Sequence, residues 1–242
     1  MDNNNNGIKL SKSPIIETTL DIVCSFNVPT EAIFGIMYNS LSNTFGKLNV
    51  QGLPILNLPE QLRESDPNLR NKPTHRIDCE QGVISVGPHI ISISILPPYK
   101  NWEVYVGFIS QIIGIIKGLN IVGNIHTLNL RYLNFLKSNV YDKINLDISI
   151  AGSKISYPST VLRTEIPVDI YGKIVNVLQV TNSVHVKNEA MGLDDDGSLI
   201  DIVVVNKETD LNNLLSCIVR SHESAKELFF SLLSEELLKE LI

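Results

Sequence analysis

The sequence has no paired cysteines, no clustered metal ligands and no apolar run long enough to cross a bilayer, and each gap removes a class of protein. Its three cysteines, Cys24, Cys79 and Cys217, are far apart and odd in number. They supply neither a CxxC nor a disulfide framework, so a reducing compartment is expected. The five histidines, His75, His89, His126, His185 and His222, are dispersed and form no HExxH; no metal and no cofactor is expected. The most apolar stretch, 104–116, contains Gln111 and is stopped by Lys117. A bilayer span needs roughly 20 apolar residues, so this one reads as a buried helix. The opening MDNNNNGIKLSKS lacks the apolar segment of a signal peptide. A cytoplasmic protein with no membrane contact is the expectation.

Phosphate-binding loops are missing too. There is no GxxxxGK[ST], and Gly107, Gly114 and Gly118 fall inside a helical pattern, away from any strand-to-helix turn. No GxSxG is present, and Cys24 and Cys217 sit in apolar patterns where an inert buried thiol is the default. Nucleic acid is disfavoured by a net charge of −6, because phosphate affinity rests on clustered Lys and Arg. The acidity is a property of the C-terminal part. From Ala190 onward there are four Lys and Arg against eleven Asp and Glu, a net −7; residues 1–189 carry sixteen against fifteen, a net +1. The string from Arg131 to Lys137, RYLNFLK, mixes basic and aromatic residues. Strand alternation nevertheless sends Arg131, Leu133 and Phe135 to one face and Tyr132 and Asn134 to the other, which breaks up a stacking platform.

What is present describes a globular domain: 43% hydrophobic and 19% charged residues can build a core. Residues 1–12 are expected to be a disordered lead and 13–242 a single domain. Residues 14–26 read as a strand, and a helix follows to about Phe45, with Thr30 as N-cap or Pro29 at its first position. Four prolines between 46 and 79 point to a long loop. GVISVGPHIISISIL, residues 82–96, alternates around Gly87-Pro88 as a hairpin does. Asn101–Leu119 has helical spacing, with Trp102, Tyr105, Ile109, Ile112 and Ile116 on one face; its glycines are expected to permit close approach to a sheet. Strands are predicted at 123–135, 146–150, 161–171, 174–187 and 199–205, with turns at Tyr171-Gly172-Lys173 and Asp194–Gly197. One long amphipathic helix, N-capped by Asp210, is expected to end the chain. Runs of strands with helices between them indicate α+β: an antiparallel sheet with long helices packed on one face. Each of the segments 13–140 and 141–242 reads as strands followed by a long helix, which is compatible with two similar halves.

Arg131 is the most informative single residue. It lies mid-strand between apolar neighbours, where an unpaired charge is costly, so a strand-borne carboxylate is required: Glu17, Glu165 or Asp201. The alternative role is to grip an anion in a pocket between sheet and helix. His222, early in the last helix, reads as a packing or capping residue.

Several strings taken in order resemble a sporadically distributed prokaryotic family of uncharacterised proteins of about this length. They are Pro14 and Glu17 in the opening strand, Tyr99 and Trp102 at the start of the central helix, Leu130, Arg131, Tyr132 and Asn134 in the next strand, and His222 in the last helix. Thr18, Tyr105 and Asn129 depart from the pattern, where Ala, Phe and Gly are usual. The resemblance implies accessory biology of the antiviral-defence or toxin–antitoxin kind, and brings no activity with it. Glu17, Trp102, Arg131, Tyr132, Asn134 and His222 are the candidate binding residues. The expected function is a non-catalytic adaptor acting on a protein partner or as a homo-oligomer; the alternative is a sensor of small anionic ligands with its pocket near Arg131.

Overall fold

The computed structural model describes residue 10 and residues 13–155, 159–168 and 173–242. Leu10 aside, the expected disordered lead lies outside these residues, as does the Tyr171-Gly172 part of the expected turn. The fold is mixed α+β: a large antiparallel sheet with several helices. The strands are β1 (Ile15–Phe26), β2 (Asn49–Gly52), β3 (His75–Asp78), β4 (Gly82–Gly87), β5 (Ile90–Ile95), β6 (Val122–Leu136), β9 (Val161–Pro167), β10 (Ile174–Asn188) and β11 (Leu193–Asn206). They lie side by side in the order β2-β3-β4-β5-β1-β6-β11-β10-β9. A separate two-stranded hairpin, β7 (Ser149–Ile150) with β8 (Ser153–Lys154), is all that remains of the strand expected at 146–150.

Register explains where the core sits. Ile77, Ile84, Ile93, Leu20, Leu130 and Val204 are cross-strand neighbours in one continuous row, and all are fully buried. Because side chains alternate along a strand, the residues one position along line the other face: Ser94, Thr19, Arg131 and Val203 form the corresponding row there. The first row joins a single hydrophobic cluster with residues of α1 (Thr30–Phe45), α4 (Trp102–Leu119) and α5 (Leu214–Leu232), and with Leu237 near the C-terminus.

Helix α4 carries seven β-branched residues and three glycines among its eighteen positions, all poor helix formers, so burial holds it together more than propensity does. Tyr105, Ile109, Ile112 and Ile116 are buried, and the Tyr105 hydroxyl donates to the Ile93 carbonyl at 2.7 Å. By length and composition α4 could cross a bilayer; here its apolar stripe is core. Its glycines do not touch the sheet as expected. Gly107, Gly114 and Gly118 are exposed, with nothing near the place a Cβ would occupy.

Four further boundaries differ from the sequence reading. Residues 46–79 hold structure within the expected loop: β2, the short helices α2 (Glu60–Ser65) and α3 (Pro67–Arg70), and β3. Pro29 itself takes the N-cap position of α1, without a side-chain bond. Asp194–Gly197 is strand, paired with Val184–Lys187 across a bulge, and the chain turns instead at 189–192, where Gly192 has φ +59°. The consecutive aspartates read as a turn because this exposed part of β11 has no apolar alternation; its partners lie across the strand, where His185 meets Asp194 and Asp196, each at 2.9 Å. Finally, the terminal helix is two helices. Asp210 caps the turn before α5, accepting from the Asn212 and Asn213 amides at 2.8 and 2.9 Å; Ser234 starts α6 (Glu235–Leu241) by accepting from the Leu237 amide.

Candidate functional site

The candidate residues separate into two groups on opposite faces of the sheet, because β6 alternates. Arg131 projects onto the face away from the hydrophobic cluster. Its Nε and Nη2 donate to Asp201 at 2.8–3.1 Å, and its Nη1 donates to Glu17 at 2.9 Å. Neither carboxylate is directly opposite: Thr19 and Val203 are, and Glu17 and Asp201 each lie two residues along the neighbouring strand, within a diagonal's reach. The two-pronged Asp201 contact, followed by neighbouring Glu17, holds the guanidinium even more firmly protonated than usual. A third carboxylate, Asp21, accepts from Ser92 Oγ at 2.5 Å; burial pushes it above the ordinary carboxyl range, with Ser92 opposing. Of the three predicted partners for Arg131, Asp201 and Glu17 are used, and Glu165 sits instead on β9 beside Arg163.

Trp102, Tyr132, Asn134 and His222 come together on the other face, around a cavity of about 710 Å³ between the start of α4, the middle of α5 and the strands β1 and β6. Asn101 makes this end of α4 definite. It caps the helix by accepting from the Val104 amide at 2.9 Å, which fixes Trp102 as the first helical residue. The Trp102 indole lies flat on the His222 ring, with centroids 3.9 Å apart and planes within 6°. The other side of His222 is tethered: Nδ1 shares a hydrogen bond of 2.9 Å with the Tyr132 hydroxyl. Tyr132 also meets Tyr99, whose ring stands nearly perpendicular to it at 6.2 Å. Asn134, buried, spends its amide on the Ile200 carbonyl at 3.1 Å and turns no charge toward the cavity.

These contacts set the electrostatics. Burial, helped by nearby Lys226, pulls His222 down to about 4, so the imidazole is neutral at pH 7. Burial also raises the Tyr99 and Tyr132 hydroxyls, which remain protonated. The inner wall is therefore an uncharged chain of hydroxyl, hydroxyl and imidazole beside an indole, continued by Ile15, Ile202, Val219 and Phe229. Among the described residues lining it, charge appears as Lys100, Glu103, Glu223, Lys226 and Glu227, mixed in sign. Arg131 is not among the residues lining this cavity; its guanidinium pairs with Asp201 and Glu17 on the opposite face.

A chemical apparatus would need other groups. Among the described residues, no three His, Cys, Asp or Glu side chains gather so as to hold a metal. The cysteines are buried and free, and desolvation pushes the Cys24 thiol up to about 12, far from a usable thiolate. The three acids on the open face surround a guanidinium.

Comparison of the chain with protein-family models finds no match, and no curated protein is significantly similar to it.

Of α5 the sequence reading singles out His222 alone; the contribution of Val219, Lys226, Phe229 and Phe230 to the cavity wall is missed. The same reading passes over Asp21, although Glu17, Thr19 and Asp21 recur at every second position of β1 and announce a polar strand face.

Proposed function

We propose that the protein is a binding protein that takes a small, planar, uncharged molecule into the cavity between α4 and α5, without making or breaking bonds in it. The observation that carries this reading is the flat Trp102–His222 pair with its tyrosine chain, set in the wall of a roomy cavity. Ligand sites are typically mostly apolar concavities of about 300–1,000 Å³ with a few convergent polar groups, and this cavity fits on each count. An aromatic or heteroaromatic ring would pack against the Trp102–His222 stack, and the hydroxyls and imidazole would meet its polar edge. The reading takes the long helices to share the apolar face of the sheet, so that α4 and α5 approach each other over β1 and β6.

The test is a thermal-shift screen with neutral heteroaromatics, purines and indoles among them, because a ligand bound only by the folded chain raises the melting temperature. At least one such compound should raise the midpoint of the natural chain and lose most of its effect in Trp102→Ala and Tyr132→Phe. A panel that moves neither, or that moves natural chain and variants alike, would reject the reading.

A second reading rests on the opposite face. There the Glu17–Arg131–Asp201 group sits among Ser92, Ser94 and Thr19, a polar, patterned surface suited to a protein partner, in keeping with an adaptor in a defence or toxin–antitoxin system. Purification from the native host should then recover a stoichiometric partner that Glu17→Lys releases and Tyr132→Phe does not.

A further inference from the structure

The sheet ends at β9. Among the described strands its only neighbour is β10, and the two backbone bonds at the strand's ends fix which groups are used: the Asn182 amide donates to the Thr160 carbonyl and the Val168 amide to the Ile174 carbonyl. Alternation then turns the backbones of Leu162, Thr164 and Ile166 toward β10, and those of Val161, Arg163 and Glu165 toward the open edge. Pro167 has no amide to offer and ends the row. Such an edge is a template for another strand, and natural sheets blunt it with charges, bulges or cover. Here it carries one charge of each sign, Arg163 and Glu165, together with exposed apolar side chains, Val161 at 61% and Ile166 at 36%.

We propose that β9 pairs antiparallel with β9 of a second copy, joining two sheets across a two-fold axis at Thr164. The argument is the strand's own chemistry. Read outward from Thr164, its sequence is self-complementary: Arg163 answers Glu165, and Leu162 answers Ile166. With Thr164 opposite Thr164, each Arg163 faces the second copy's Glu165, twice over by symmetry, on one face of the joined sheet. Leu162 faces Ile166 twice on the other. The same register brings the outward amides and carbonyls of 163 and 165 into reciprocal pairs, as a hydrogen-bonded antiparallel ladder requires. Slipping by two residues puts Arg163 against Arg163 or Glu165 against Glu165, and like charges directly opposite are destabilising. Slipping by one turns inward-bonded groups toward the partner. One register satisfies backbone, charge and apolar pairing together, and an isologous contact of this kind closes as a dimer. Within a single chain Arg163 and Glu165 lie on the same side, 3.4 Å apart and more than half exposed, so both are free to exchange partners.

The test is sedimentation and light scattering of the full chain at concentrations on the order of tens of micromolar, where a short strand interface is expected to associate. The natural chain should be a dimer. Arg163→Glu and Glu165→Arg should each weaken it at least about tenfold, since each sets like charges opposite one another twice. The double variant R163E/E165R should restore it, and an equimolar mixture of the two single variants should form a mixed dimer. Circular dichroism of the variants should match the natural chain, these positions being exposed. A natural chain that stays monomeric throughout overturns the proposal. So does a dimer indifferent to both reversals, or one lost in the singles and not regained in the double.

Discussion

Arg131 and His222 hold their places for different physical reasons, and each gives a separate measurement. The Arg131–Asp201 contact is two-pronged, with Asp201 only 19% exposed, whereas Glu17 is half exposed at 51%. Exposed pairs contribute little, and coupling grows as the partners lose water. A double-mutant cycle on Arg131 and Asp201 should therefore give a coupling of about 1–2 kcal/mol, and one on Arg131 and Glu17 less than about 0.5 kcal/mol. His222 works in the opposite sense. Its folded pKa is about 4 against an ordinary 6.5, so between these values the unfolded chain holds the extra proton. Its contribution to stability is then complete above about pH 6.5 and is lost as the pH falls toward 4, amounting to up to about 3 kcal/mol. Denaturant unfolding at pH 7 and pH 4.5 should show this loss, and His222→Gln should lack that part of it. Lys226 adds to the depression and Glu103 opposes it, so Lys226→Gln should narrow the window from below. An unchanged pH dependence in His222→Gln would show the ring to be solvated.

At the level of elements, α4 makes the sharpest forecast. Gly107, Gly114 and Gly118 are exposed, none has a positive φ, and a methyl group at any of them meets nothing. Replacing each with alanine should stabilise the protein by about 0.5–1 kcal/mol, the usual cost of glycine inside a helix. A loss of stability would mean that something covers this face. The helix also shows what was legible in the sequence. Its span from Asn101 to Leu119 and its buried stripe follow from helical spacing, as β1, the β4–β5 hairpin and the split of Arg131 from Tyr132 follow from strand alternation. The errors arise where local and tertiary signals compete. Four prolines made 46–79 look like loop, yet prolines sit comfortably at the first turns of α2 and α3 and between short strands. The Asp194–Gly197 run looked like a turn because an exposed strand arm with no apolar face loses its period-two mark. The cavity was half legible. Trp102, Tyr132, Asn134 and His222 were named together, but no single sequence can say that α4 and α5 meet, and the pocket was assigned to the side of Arg131.

The whole sheet reads outward from its central pair. From β1 the neighbours are β5, β4, β3 and β2; from β6 they are β11, β10 and β9. In each direction one long strand is followed by a meander that returns beside it, and then by a long helix, α4 on one side and α5 on the other. The two long helices meet where Trp102 of α4 rests on His222 of α5. That contact turns a mere junction of two arms into a cavity with a stacked aromatic wall. The edge at β9 lies at the far margin of the sheet, so dimer variants and cavity variants should leave each other's properties unchanged.

Trp102 is the chain's single tryptophan, so its emission reports on the cavity without a label. The decisive measurement is a fluorescence titration of the full chain with the small-molecule fraction of an extract of its own host. A saturable change in Trp102 emission, lost in His222→Gln and Tyr132→Phe while the fold is kept, is the predicted result. Emission that stays constant across the titration, or changes equally in all three proteins, would contradict a ligand site at the α4–α5 junction.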